Sequence, residues 1–284
     1  MKKTVLFILL TFAVCAGVFG QSVSDFVIEG KVLTKYQGTA KDVVVPESLG
    51  ITEIGFQAFR NNRNITSITI PSGVTAIGSS AFENCQSLIT ISIPSSVTTI
   101  EYRAFFHCSK LASITIPTRV TSIGDAAFNG CKSLITISIP SGVTAIGDLV
   151  FSFCESLTQI NVDNQNITYS SIDGVLFDKG KTILIKYPEN KQGQSYVIPN
   201  GVKIIEDAAF NSCSNLTSII ISDSVTSIGE YTFSGCEMLA SITIPASVKE
   251  VKWGAFAFCD ALSPATRADI IKRFGEDVFQ VGGG

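Results

Sequence analysis

Eight phenylalanines in this chain fall on one beat. Phe59, Phe82, Phe105, Phe128 and Phe151 are 23 residues apart, as are Phe210, Phe233 and Phe256, and the one exception is the 59-residue step between Phe151 and Phe210. Seven cysteines (Cys85, Cys108, Cys131, Cys154, Cys213, Cys236 and Cys259) follow three residues behind. A fixed period of this length describes a small supersecondary unit that cannot bury its apolar face alone and stacks on copies of itself. Each unit then touches only its neighbours, and the stack exposes long regular faces. Such an object predicts binding before catalysis.

One repeat, residues 85–107, shows how the unit folds. Leu88, Ile91 and Ile93 alternate with Thr90 and Ser92, the period-2 pattern of a strand with one buried face. Pro94 cannot donate to a ladder and ends the strand. Val97 and Ile100 give a second short apolar beat, read as a second strand. Ala104 and Phe105 point inward from a tight helical turn, and Cys108 closes the coil. The proline recurs at Pro71, Pro117, Pro140, Pro199 and Pro245, while Asp163 and Ser222 replace it in two coils. Glycine follows the second beat at Gly55, Gly78, Gly124, Gly147 and Gly229, but Glu101, Glu206 and Lys252 stand there in other coils. A glutamate resists positive φ, so that conformation is not obligatory at this position.

The period breaks once, over residues 163–196. Val175–Phe177 and Ile183–Ile185 are apolar runs separated by Asp178-Lys179-Gly180-Lys181, which predicts a β-hairpin in an enlarged coil. The repeat resumes in phase at Val197-Ile198-Pro199, so the stack is expected to continue through it. The ends differ from the middle, as capping requires. Residues 26–45 read as an N-terminal strand pair. Ser263 and Pro264 suit the start of a helix carrying Ile270, Ile271 and Phe274 on one side, with Gly275 as its stop. This helix is expected to cover the last coil, and residues 280–284 to form a loose tail.

Composition restricts the setting. The chain is 45% hydrophobic and 16% charged, too apolar for disorder. Lys2, Lys3 and the apolar stretch Val5–Val14 read as an export signal over residues 1–20, cleaved after Gly20. Lipid attachment at Cys15 is a weaker alternative, because Val14 precedes it. Loss of residues 1–20 leaves 19 basic and 24 acidic residues, a net charge of −5. No basic stripe for nucleic acid follows from this balance. No later run is long enough to span a bilayer. The expected organisation is a signal peptide at 1–20, a solenoid of about nine coils at 21–262, and a cap helix with tail at 263–284.

The recurring unit SITIPSGVTAIGSSAFENCQSL resembles the BspA-like leucine-rich repeat of bacterial surface proteins, including those of spirochaetes. NITYSSIDGVLFDKGKTILIKYP is similar to the interrupted repeat of that family, and FVIEGKVLTKYQGTAKDVVVP to its N-terminal coil. The resemblance spans roughly residues 25–262. It implies a curved, right-handed leucine-rich-repeat solenoid with a parallel sheet on the concave face and short second strands and helical turns on the convex side. It also implies export and adhesion to host matrix proteins or other cells. It transfers no catalytic or cofactor-binding residue.

The remaining chemistry is sparse. The cysteines lack the close spacing of metal motifs, and stacked side chains point in parallel, poor geometry for disulfides. A buried ladder of free thiols is the expected outcome. His107 is the single histidine and supports no Ser-His-Asp set. No catalytic residue, metal or cofactor is assigned. Three N-x-T sequons, at Asn64, Asn166 and Asn215, read as chance matches within the repeat. The outward strand positions are the candidate partner-binding residues: Ser67, Thr69, Thr90, Ser92, Ser113, Thr115, Thr136, Ser138, Gln159, Asn161, Ser218, Ser241 and Thr243, with Ile220 beside them. They form a hydroxyl-rich, nearly uncharged face. The expected function is a monomeric, non-enzymatic adhesin whose partner is a host extracellular matrix protein or another bacterial surface protein. Alternatives are an envelope scaffold and, more remotely, an ice-binding array of Thr and Ser.

Overall fold

A computed structural model of the protein describes residues 21–281. The signal-peptide reading of residues 1–20, Cys15 included, and the tail end at 282–284 lie outside the described residues. Two strand ladders run the length of a solenoid. The first is built from the Ser/Thr-rich strands and occurs in three runs. These are Asp42–Val44, Ser67–Thr69 and Thr90–Ser92; then Thr136–Ile139 and Gln159–Val162; then Ser195–Val197, Ser218–Ile220 and Ser241–Thr243. The second is built from two-residue strands such as Ala76–Ile77 and Thr99–Ile100 and forms longer sheets of seven and six strands. Neighbouring coils pair in parallel and in register, Ile68 opposite Ile91 and Ile77 opposite Ile100.

Register puts like on like in the core. Rings stack at 5.0 Å for Phe59–Phe82, 5.2 Å for Phe82–Phe105 and 5.4 Å for Phe105–Phe128. The ladder extends past the eight phenylalanines. Tyr36 stacks on Phe59, Tyr187 on Phe210, and Phe279 packs 5.7 Å from Phe256. Each of these three lies 23 residues from its neighbour in the ladder, so the 59-residue step contains an aromatic ladder member at Tyr187.

The turn carrying each ring has two left-handed residues, such as Ser80 and Asn84 around Phe82, or Arg103 and His107 around Phe105. The alternation aims three amides at the next coil. Ser80, Phe82 and Asn84 donate to the carbonyls of Tyr102, Ala104 and Phe106 at 2.8, 2.8 and 2.7 Å. Short i→i+3 bonds, such as Cys85 N to Phe82 O, alternate with them. The glycine after the second strand has no positive φ at Gly55, Gly78, Gly124, Gly147 or Gly229. Its use is close approach: a Cβ at Gly124 would lie 2.5 Å from Tyr102 N.

The enlarged coil is a three-stranded meander. Val175–Asp178 pairs antiparallel with Ile183–Lys186, as the hairpin reading requires, and a preceding strand, Tyr169–Ile172, joins through an Asp173-Gly174 turn. Both turn residues have positive φ, the type I′ requirement. Ile183–Leu184 pairs in parallel with Ile204–Ile205, so the second ladder resumes. Val175, Leu176 and Phe177 are fully buried, and the core divides here into two clusters, Leu176 packing with the first and Val175 and Phe177 with the second.

Both ends are closed. An antiparallel hairpin, Phe26–Glu29 with Val32–Tyr36, opens the stack. The C-terminal helix spans Pro264–Phe274, with Ser263 accepting from Thr266 N at 3.1 Å and Gly275 at its end. The helix buries Ile270, and Arg273 holds the carbonyls of Ile244 and Pro245 at 2.7 and 2.8 Å. The chain after it also takes part in the cap. Amides of Gly254 and Phe256, which face outward from the last turn, reach Asp277 O and Val278 O at 2.9 and 2.7 Å. The cap thus adds a partial coil, with Phe279 as its ring.

Candidate interaction face

The hydroxyls of this protein divide into two populations. Thr75, Thr98, Thr121 and Thr144, at the start of the second ladder, each donate to the carbonyl of the equivalent threonine one coil earlier, at 3.1–3.3 Å. Thr66, Thr158 and Thr217 reach carbonyls of the preceding coil in the same way. These are structural hydroxyls. The outward strand residues are different. Thr69, Thr90, Ser92, Ser113, Thr115, Thr136, Ser138, Ser241 and Thr243 are exposed, Ser218 is half-buried, and none donates a side-chain hydrogen bond to protein among the described residues. Ser67 is the exception, half-buried and donating to Asp42 at 2.6 Å. Ser67 and Thr66 together hold the Asp42 carboxyl below the usual carboxylate range.

Register aligns these side chains in rows. Ser67 faces Thr90 and Thr69 faces Ser92; Thr136 faces Gln159 and Ser138 faces Asn161; Ser218 faces Ser241 and Ile220 faces Thr243. The structure brings the candidates together in three groups, not one unbroken row. The meander interrupts the face after Asn161, where Ile160 N bonds Gly174 O at 2.8 Å and Val162 N takes the Ser171 hydroxyl at 3.2 Å. Ser113 and Thr115 stand in the other interruption, since residues 113–115 form no strand. There the entering bonds Ala112 N to Ile89 O and Ile135 N to Ala112 O stretch to 3.4 Å, against 2.8 Å for Ile89 N to Thr66 O. The exit bond that Ile70 N makes to Ser92 O at 3.1 Å has no counterpart from Ile93 or Ile116. The opening leaves a groove of about 420 Å³ lined by residues 114–116, 138–140 and 161–163. Thr115, Ser138, Asn161 and Asp163 are its polar members.

The sequence reading missed four residues on this face. Asp42 and Val44 pair with Ser67 and Thr69, and Ser195 and Val197 pair with Ser218 and Ile220. Val44, Val197 and Ile220 are 45%, 60% and 47% exposed, so apolar steps flank the hydroxyl-rich centre.

The other candidates have structural roles. All seven repeat cysteines are free and buried. Cys85, Cys108, Cys131, Cys154, Cys236 and Cys259 donate S–H to the phenylalanine carbonyl one coil earlier at 3.1–3.3 Å, while Cys213, beside the meander, is 3.9 Å from Tyr187 O. Burial pushes the Cys85, Cys131, Cys213 and Cys259 thiols up to about 12. His107 packs edge-on against Phe106 at 4.2 Å and occupies a left-handed turn position. Asn166 is fully buried, its amide bonding Pro140 O and Val143 O at 2.8 and 2.9 Å, so this sequon braces the meander and cannot carry a glycan. Among the described residues no helix is long and apolar enough to cross a membrane, and no group of three or more His, Cys, Asp or Glu could hold a metal ion.

These features are those of a leucine-rich-repeat solenoid with an extended strand face. The chain belongs to the BspA type leucine rich repeat region family, whose model matches residues 52–183 and 187–281 in six copies. Solved structures of bacterial proteins share the fold. The pneumococcal vaccine antigen PcpA is 25% identical, with a TM-score of 0.67 over 84% of this chain and 71% of that one. A leucine rich cell surface protein of Faecalibacterium prausnitzii is 30% identical, with a TM-score of 0.59 over 86% and 81%. A leucine-rich repeat protein of Eubacterium ventriosum is 27% identical, with a TM-score of 0.67 over 82% and 70%. No curated protein matches the chain.

Proposed function

We propose that the chain is an exported, non-enzymatic adhesin that binds a partner protein through the Ser/Thr strand face. The observation that carries this reading is the division of hydroxyls. Those that hold coils together are already bonded, whereas those in the outward rows, Ser67 apart, have both donor and acceptor capacity to spare. Many modest polar contacts over a large area then set affinity through complementarity more than through one pocket. The groove at residues 114–116 gives the face one concave point, where Thr115, Ser138 and Asn161 surround space for a partner side chain. The likeness to a cell surface protein and to a vaccine antigen supports export and display. The partner class is a host extracellular matrix protein or another bacterial surface protein.

The test is a pull-down of the chain against panels of matrix and bacterial surface proteins, repeated with Ser113→Arg, Thr115→Arg, Thr136→Arg and Ser138→Arg combined. These four side chains are exposed and make no protein hydrogen bond, so the melt should stay that of the parent. Binding lost in the combined variant supports the face as the site. A partner held equally well by parent and variant places the site elsewhere.

A further inference from the structure

The meander creates a second opening, on the turn side of the solenoid. Ordinary coils use five residues to pass from the second strand to the ladder ring, as from Ile146 to Phe151 or from Ile205 to Phe210. The meander's coil passes from Leu184 to Tyr187 in three, although Leu184 pairs with Ile205 and Tyr187 stacks on Phe210. Its turn is therefore short, and the neighbouring turns stand proud of it. Between them lies a cavity of about 470 Å³, walled by the turn at Gly147–Ser152 on one side and Glu206–Ala208 on the other, with Ile185 and Lys186 among its lining residues. This is within the size range of small-molecule sites.

The walls carry complementary chemistry. In the preceding turn, Ala126, Phe128 and Gly130 donate their amides to Asp148 O, Val150 O and Ser152 O at 2.8, 3.1 and 2.9 Å. In the turn that borders the cavity, the same three positions are Leu149, Phe151 and Phe153. The Phe153 amide is met by the buried Glu189 carboxylate at 2.6 Å. The Leu149 and Phe151 amides have no protein partner among the described residues and face the opening by the geometry of the repeat. Lys186 lies beside them, 5% exposed, its ammonium bonded to Ala208 O at 3.2 Å and to Glu189 at 3.5 Å, with a third donor unused. The rim has the opposite character. Asp148, Glu206, Asp207 and Glu230 line it, and neither the Asp148 nor the Glu206 carboxylate accepts a hydrogen bond from another side chain. Burial, and then Asp207 and Asp148 nearby, push the Glu206 carboxyl upward, against the opposing pull of Lys252, which pairs with Asp207 at 3.6 Å. Val150, Ile185, Tyr169 and Tyr231 supply apolar surface between donors and acids.

We propose that this cavity binds a basic amino acid, free or as the C-terminal residue of a peptide, with its carboxylate on the Leu149 and Phe151 amides beside Lys186 and its cationic side chain among Asp148, Glu206 and Asp207. A carboxylate satisfies the open amides, an aliphatic stem covers the apolar wall, and the cation relieves the crowded acids. The site is on a different face from the strand rows, so it stands or falls independently of the adhesin reading.

Calorimetric titration of the full chain tests it with four probes. L-arginine and a short peptide ending in arginine supply both charges, agmatine lacks the carboxylate, and L-norvaline lacks the cation. The expected result is binding of arginine or of the peptide, with agmatine and norvaline each weaker by about ten-fold or more, the loss expected for one charge-assisted contact set. The stronger of the two binders identifies the free or chain-end source. Asp148→Asn combined with Glu206→Gln should weaken the stronger binder by about ten-fold or more at an unchanged melting temperature. No heat from either arginine probe up to about 10 mM overturns the proposal. So does agmatine binding as tightly as arginine, or a double variant that binds as the parent does.

Discussion

Phe128→Ala removes one ring from the middle of the aromatic ladder. Phe128 is fully buried, with Phe105 at 5.4 Å on one side and Phe151 at 6.1 Å on the other. The lost transfer energy and the cavity left behind cost about 3–5 kcal/mol for a buried phenylalanine. The coil backbone on either side is tied by ladders of hydrogen bonds, so little collapse into the space is available and the upper half of that range applies. For a domain of this size each kcal/mol moves the melting temperature by about 2–4 °C, so a fall of about 8–20 °C is expected. Phe279→Ala is the internal comparison. Its ring meets one ladder neighbour, at 5.7 Å, and is half-buried at the cap. Its loss should cost about 1–2 kcal/mol, a fall of less than about 8 °C. Circular dichroism melts of both variants and the parent decide the matter. A Phe128→Ala melt within about 1 °C of the parent, or equal losses from the two substitutions, would refute the reasoning that each ring is held by both neighbours.

Two further predictions concern buried polar groups. The seven repeat thiols should resist alkylation at pH 8 in the folded protein and react in denaturant, because burial holds Cys85, Cys131, Cys213 and Cys259 at about 12 and so suppresses the reactive thiolate; mass spectrometry after labelling reads this directly. Lys186→Met should destabilise the protein by about 3–5 kcal/mol by leaving the Glu189 carboxylate buried without its cation. Adding Glu189→Gln should recover most of that loss in denaturant titrations, since its side-chain oxygen can still accept from the Phe153 amide.

The repeat made most of the fold legible, because each side chain faces a copy of itself and one coil predicts the next. Ile91, Pro94, Phe105 and Cys108 specify strand, corner, ring and thiol, and the coordinates place them so. Tyr36, Tyr187 and Phe279 were hidden by their chemistry. The two tyrosines are not phenylalanine, and Phe279 follows a helix that obscures the period, although the 23-residue spacing marks all three. The Asp173-Gly174 turn was a hairpin signal passed over within the longer run. The opening at Ser113–Thr115 has no sequence mark, since its LASITIP recurs at residues 239–245, where Ser241–Thr243 is a strand. The turn-side cavity depends on a difference of two residues in chain length between Leu184 and Tyr187, visible only once ring and strand are both assigned. Asp42 and Val44 escaped because 25 residues, not 23, separate them from Ser67 and Thr69; Ser195 and Val197 keep the 23-residue step to Ser218 and Ile220 but stand in Ser-Tyr-Val, without the Ser-Ile-Thr alternation of the other strands.

Hydrogen exchange of the turn amides measures the central claim, an in-register stack broken at one coil, most directly. Amides of Phe82, Phe105 and Phe128 donate to the next coil and should exchange only with global unfolding. Amides of Leu149 and Phe151, one coil further on and with no such partner, should exchange orders of magnitude faster. Uniform protection across all five, or fast exchange at Phe105 and Phe128, would contradict the account.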